Sequence, residues 1–135
     1  MIFIDTSAIY ALADRGDPNH IVGVNALQVI LDEGQELLTH NYVLLESIAL
    51  VQARLGLSAA SKLAKDSENF IIEWIDQDLH RLATSNLHKA GKRHISLVDH
   101  VSFLIMKRRN VDTAFAFDPD FRSHGFLCFP GPHGF

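Results

Sequence analysis

Ile2-Phe3-Ile4-Asp5-Thr6-Ser7 opens the chain, and its reading decides the fold. Three consecutive apolar residues are too few and too uniform for a strand with one wet face, and residues that end strands and cap helices follow at once. The segment predicts a buried strand running into a helix. The alternation then continues. Asp17-Pro18 marks a helix start, with Ile21, Val24, Leu27, Gln28 and Leu31 at helical spacing up to Gly34. Leu37-Leu38-Thr39 reads as a second short strand, residues 41–55 and 58–68 as helices, and residues 70–75 as a third strand. Asp76 caps a helix that carries Leu79, Leu82, Ala83 and Leu87 on one face and is closed by Gly91. Ser96-Leu97-Val98-Asp99 has the form of a capping box with Asp in place of Glu, and opens a helix to Arg109. Residues 113–117 read as a strand, Asp118-Pro119-Asp120-Phe121 as a turn or short helix, and residues 126–129 as a last strand. Short strands apolar on both faces, alternating with helices, imply a three-layer α/β/α sandwich around a short, mainly parallel sheet. No repeat, low-complexity tract or linker divides the chain, so residues 1–135 are expected to form one domain.

Composition narrows the function classes. With 12 Lys+Arg against 16 Asp+Glu, the formal charge of -4 argues against holding nucleic acid by bulk positive charge, although local basic patches stay open. The single cysteine, Cys128, has no internal partner, which fits a reducing compartment. No apolar run approaches about eighteen residues and no basic stretch precedes Ile2. The expectation is a cytoplasmic protein with neither a membrane span nor a signal peptide.

The acidic residues carry the chemistry. In parallel sheets ligands bind beyond the carboxyl ends of the strands, where strand order reverses. Asp5 follows the first strand there, and Asp118 follows the strand at 113–117. Asp99 falls in the first turn of its helix, where capping and the helix dipole also account for it. Glu46 lies within Tyr42–Val51, a stretch apolar around most of its circumference, so its carboxylate is expected in a partly buried region. An exposed Glu46, or one paired with Arg54, is the alternative. Four carboxylates gathered at one sheet edge would repel and raise one another's pKa values, a conflict that a divalent cation removes. Carboxylate oxygens without cysteine suit Mg²⁺ or Mn²⁺, and such a centre serves phosphodiester hydrolysis. A hydroxyl of Thr6 or Ser7 could hold a carboxylate or a water there, with helix capping as the ordinary role for each.

Other chemistries lack their signatures. Neither G-x-x-x-x-G-K-[ST] nor G-x-G-x-x-G follows the first strand, and there is no G-x-S-x-G elbow. No second Asp stands two residues after Asp5, as an aspartyl-phosphate hydrolase would need. The eight histidines show no H-E-x-x-H spacing and read mostly as surface residues; His40, His94 and His100 are candidate substrate contacts by their place in the sequence alone.

Taken together, Ile2 to Leu12, Thr39-His40-Asn41-Tyr42-Val43-Leu44-Leu45-Glu46, Ser96-Leu97-Val98-Asp99 and Ala116-Phe117-Asp118-Pro119-Asp120-Phe121 resemble the PIN-domain nucleases, particularly the small VapC-like toxins, in the family's order and separations. The resemblance covers nearly the whole chain. It implies a Mg²⁺- or Mn²⁺-dependent endoribonuclease acting on single-stranded RNA, with Asp5, Glu46, Asp99 and Asp118 as catalytic metal-binding acids. Ser7 matches the family's small polar residue near the metal, and Ser96 the Ser/Thr that opens the helix of the third acid. Ala116 departs from the Thr or Ser that many members carry, which removes a hydroxyl beside the last acid. Members differ in which residue of the final turn faces the metal; Asp118 is preferred for its place at a strand end, with Asp120 in reserve. The resemblance also implies a small antitoxin protein, whose tail crosses the acidic site, and a homodimer. Apolar helical surface near residues 41–64 would serve either contact, and core packing accounts for the same residues. Lys89, Lys92 and Arg93, or Lys107, Arg108 and Arg109, would hold RNA, although compensation of two helix dipoles is the preferred account of both clusters. Two rival readings use the same acids: a PIN-like RNA-binding or scaffolding module that no longer cuts, and a metal-dependent phosphatase of small molecules.

Overall fold

Apolar triplets that can satisfy their backbone only by pairing with one another build the centre of the molecule. The computed structural model describes residues 1–91 and 95–131. Its strands are β1 (Ile2–Ile4), β2 (Leu37–His40), β3 (Ile71–Glu73), β4 (Thr113–Phe115) and β5 (Leu127–Phe129). They form one parallel sheet in the order β3-β2-β1-β4-β5. The helices are α1 (Thr6–Ala13), α2 (His20–Asp32), α3 (Asn41–Leu55), α4 (Leu57–Asp66), α5 (Gln77–Ala90), α6 (Leu97–Arg108) and α7 (Asp120–Ser123). This is the expected α/β/α sandwich, with every pairing parallel.

Burial follows strand order. Phe3 and Ile4 of β1 and Ala114 and Phe115 of β4 have no exposed surface, whereas β3 at one edge is only half-buried. From β1 the chain builds outward through β2 to β3, then returns to lay β4 on the other flank of β1. The reversal point therefore lies between the carboxyl ends of β1 and β4, where an open sheet of this kind leaves a crevice.

Several boundaries differ from the sequence reading, each for a local reason. Asp17 does not cap α2. Its Oδ1 accepts from the Asn19 N–H at 2.8 Å and its carbonyl accepts from the His20 N–H, so Asp17-Pro18 makes a turn and the helix begins at His20. The strand expected at 113–117 stops at Phe115 because the Phe117 N–H is donated to Ser7 Oγ at 3.0 Å. The strand expected at 70–75 keeps only three residues: as an edge strand it pairs with β2 alone, and the Ile75 N–H is donated to Asn41 Oδ1. α4 begins at Leu57, one residue before the expected start, and ends in a 3₁₀ turn over Ser67–Asn69.

His40 shows how histidine enters this core. It is fully buried at the end of β2, its Nδ1 accepts from the Val43 N–H as the cap of α3, and its Nε2 lies 2.9 Å from Ser102 Oγ on α6. Because Nδ1 accepts and the Ser102 hydroxyl donates to the Val98 carbonyl, Nε2 carries the proton. Burial pushes the imidazole pKa down to about 3. His40 is thus a neutral structural bridge from sheet to α6 and not the substrate contact considered from sequence. His100 is buried as well, whereas His20, His80, His88 and His124 keep exposed surface, so most of the described histidines reach the surface as expected; His94 lies outside the described residues.

Candidate active site

The crevice between β1 and β4 collects the acids. Asp5 leaves β1 with its amide donated to the Phe115 carbonyl of β4, and its side chain caps α1 by accepting from the Ser7 N–H. Neither Thr6 nor Ser7 is the cap. Ser7 instead donates its hydroxyl to Asp5 Oδ2 at 2.8 Å while accepting from the Phe117 N–H, so one side chain ties the first acid to the exit of β4. Thr6 Oγ1 is buried without a hydrogen-bond partner among the described residues.

Asp99 arrives from α6. Ser96 Oγ accepts from the Asp99 N–H at 3.1 Å, and the Asp99 Oδ2 accepts from the Ser96 N–H at 3.2 Å, a reciprocal box that fixes the carboxylate at the helix start. The structural role considered for Asp99 is therefore real. It occupies one oxygen, and one ligand oxygen each from Asp99, Asp118 and Asp120 lie within 4.8 Å of one another. Asp118 Oδ1 accepts from the Asp120 N–H at 2.9 Å, so the turn between β4 and α7 turns both carboxylates inward. Asp120, held in reserve by the sequence reading, stands in the cluster together with Asp118. The signal was the spacing of the two acids across Pro119.

Electrostatics link the group. Asp5 is 4% exposed, and burial, reinforced by the charge of Asp99 and opposed by the Ser7 hydrogen bonds, pushes its pKa up to about 6. Burial raises Asp99 too, and the charges of Asp118 and Asp120 raise it further.

Glu46 differs from expectation. α3 turns Val43, Leu44, Ser47 and Val51 inward and leaves Leu45, Glu46 and Ala49 on its solvent side, so the Glu46 carboxylate is exposed. It is not one of the three that converge. The apolar stretch predicts a partly buried carboxylate, but exposed Leu45, at 70%, shows that this side of the helix is uncovered, and the alternative of an exposed Glu46 holds.

An all-carboxylate donor set fits a hard divalent cation. The clustered oxygens belong to the class Mg²⁺ and Mn²⁺ prefer, and the buried Asp5 carboxyl ionises with difficulty until positive charge arrives. Comparison with known proteins places the chain among nucleases. The PIN domain family model matches residues 2–127. Two curated relatives, both "23S rRNA-specific endonuclease VapC20" from Mycobacterium tuberculosis strains CDC 1551 / Oshkosh and ATCC 25618 / H37Rv, are 33% identical over 129 residues, covering 94% of this chain and 96% of theirs. The crystal structure of Mycobacterium tuberculosis VapC20, described as a sarcin-ricin loop cleaving toxin, superposes with a TM-score of 0.83 at 32% identity, covering 94% of this chain and 97% of that one.

Proposed function

The chain belongs to the PIN-domain family, and from that premise we propose that it is a Mg²⁺- or Mn²⁺-dependent endoribonuclease, the toxin of a toxin–antitoxin pair, cutting single-stranded regions of RNA. One observation carries the reading: the Asp99, Asp118 and Asp120 oxygens gathered within 4.8 Å beside the buried Asp5. Asp5, Asp99, Asp118 and Asp120 would hold the metal, and Glu46, on the helix that leaves the carboxyl end of β2, would be the remaining acid of the set. A divalent cation bound there supplies Lewis acidity at a phosphoryl oxygen and lowers the pKa of water. Ser7 fixes the Asp5 carboxylate, the Ser96 box fixes Asp99, and the Asp120 amide fixes Asp118, so the acids are oriented before substrate arrives. Ribosomal RNA, the substrate of the VapC20 relatives, is the target class proposed.

A small antitoxin and a second copy of the chain are the proposed partners, and Leu45, Leu55 and Leu57, exposed along α3 and α4, offer apolar surface to them. No helix among the described residues is long and apolar enough to cross a membrane, which is compatible with work in the cytoplasm. The test is cleavage of ribosomal RNA and single-stranded oligoribonucleotides with Mg²⁺, Mn²⁺ or EDTA. Cleavage should depend on the metal and fall by about 100-fold or more in folded Asp5→Asn and Asp99→Asn variants, the scale of losing an essential electrostatic contact. Full metal-dependent cleavage by a folded Asp99→Asn protein refutes the assignment.

A further inference from the structure

A second feature lies beside the acidic cluster and takes no part in it. α5 and α6 diverge around a cavity of about 340 Å³ whose lining includes Asn86 and Lys89 of α5, His100, Phe103 and Lys107 of α6, and His124 just after α7. Lys89 and Lys107 come from the two basic clusters of the sequence and meet here; Lys92 and Arg93 lie outside the described residues. The His124 ring stacks on Phe103 with centroids 4.3 Å apart and an interplanar angle of 20°, and His124 Nδ1 donates to the Asp120 carbonyl, which fixes the plane of the ring. His100 is 7% exposed, and its Nε2 has no hydrogen-bond partner among the described residues.

We propose that this cavity binds one nucleotide of the RNA flanking the cleavage site, its phosphate on Lys89 and Lys107 and its base against the fixed His124 ring. The inference rests on the nuclease reading above. Three features support it. The volume stands at the low end of small-ligand sites, in the range of a single nucleotide and not of a folded segment. The side chains supply what a splayed-out nucleotide needs: cations for phosphate, a π-face for stacking, and an amide and an imidazole nitrogen for base edges. The location is the third. His100 directly follows Asp99, and His124 stands one helical turn, about 5.4 Å of rise, beyond Asp120. A polyanion approaching clustered carboxylates is repelled, in a chain whose net charge is -4. Lys107, two helical turns along α6 from Asp99, and Lys89, across the cavity on α5, offset that repulsion where a neighbouring phosphate would lie.

The experiment is a titration of the metal-free protein in EDTA with AMP, CMP, GMP and UMP, with inorganic phosphate and with the corresponding nucleosides. Binding is followed by the ring resonances of His100 and His124, alongside steady-state cleavage of a single-stranded oligoribonucleotide in Mg²⁺. Nucleotides should shift both histidines and bind about tenfold more tightly than phosphate or nucleoside, as two contacts acting together do. Both lysines are exposed, so a Lys89→Ala/Lys107→Ala protein should fold; it should raise KM about tenfold, leave kcat within about twofold, and flatten the salt dependence of binding by about two counterions. Phosphate and nucleotides binding equally would overturn the nucleotide assignment, as would silent histidines in a protein that cleaves RNA. If the histidines respond as expected but no RNA is cut with any metal, the cavity stands and the nuclease reading fails.

Discussion

Asp5→Asn isolates the cost of holding a carboxylate in the crevice. Its pKa is about 6 in the folded chain against an ordinary 3.8, so folding takes up a proton between those values. The sign follows from linkage. With the folded state binding more protons across that window, stability falls as pH rises from about 4 through 6, and the full cost is present at neutral pH. Two pKa units at about 1.4 kcal/mol each give roughly 3 kcal/mol. Asparagine removes the charge, and its amide oxygen can still accept from the Ser7 N–H and hydroxyl. The assay is urea denaturation of both proteins in EDTA at pH 3.5, 5 and 7.5. The stability of Asp5→Asn relative to the parent should rise by about 3 kcal/mol across the series, and saturating Mg²⁺ should reverse the order at pH 7.5 by stabilising only the parent strongly. A difference that stays flat with pH would show that the carboxylate is not strained, and the reasoning from burial would fail.

Other perturbations test separate parts of the structure. Ser7→Ala leaves the Phe117 N–H without its acceptor and Asp5 without a donor; it should cost about 1–3 kcal/mol in urea denaturation and move the Asp5 carboxyl resonance to a still higher pKa. His40→Ala removes a buried cap and leaves a cavity, with an expected loss of about 2–4 kcal/mol at pH 7.5. The depressed folded pKa means that the stability His40 contributes is present above 6.5 and is lost as pH falls toward 3, so denaturation of the variant should be less acid-sensitive than that of the parent. Asp118→Asn and Asp120→Asn should each weaken Mn²⁺ binding in calorimetry by about tenfold, or 1.4 kcal/mol; loss in only one variant would assign the ligand to that residue alone.

The fold was legible because its signals were local. Ile2-Phe3-Ile4 against Asp5, Asp76 before Leu79, Gly91 after a helical run and Ser96 paired with Asp99 each encode their own strand end or cap, and each stands in the structure where the chain places it. Errors arose where a partner distant in sequence decided the outcome. Ser7 ended β4 early by accepting the Phe117 amide, and a single strand neighbour shortened β3. The site divides in the same way. Strand-end position found Asp5, whereas Asp118 lies three residues past the end of β4, in the turn to α7; exposure of Glu46 depended on which side of α3 met the core, and the joint presence of Asp118 and Asp120 depended on turn geometry. Neither is written in periodicity. The meeting of Lys89 with Lys107 is tertiary as well, since it needs α5 beside α6.

The bond from the Phe117 amide to Ser7 spans 110 positions, and the carboxylates it helps to align come from both extremes of the polypeptide. A piece that lacks either residue 7 or residue 117 lacks this tie. A chain synthesised only as far as the sixth helix has Asp5, still held by its own Ser7, without Asp118 and Asp120. The cluster is thus assembled by tertiary folding alone, once residues 118 and 120 have come to lie beside residue 99.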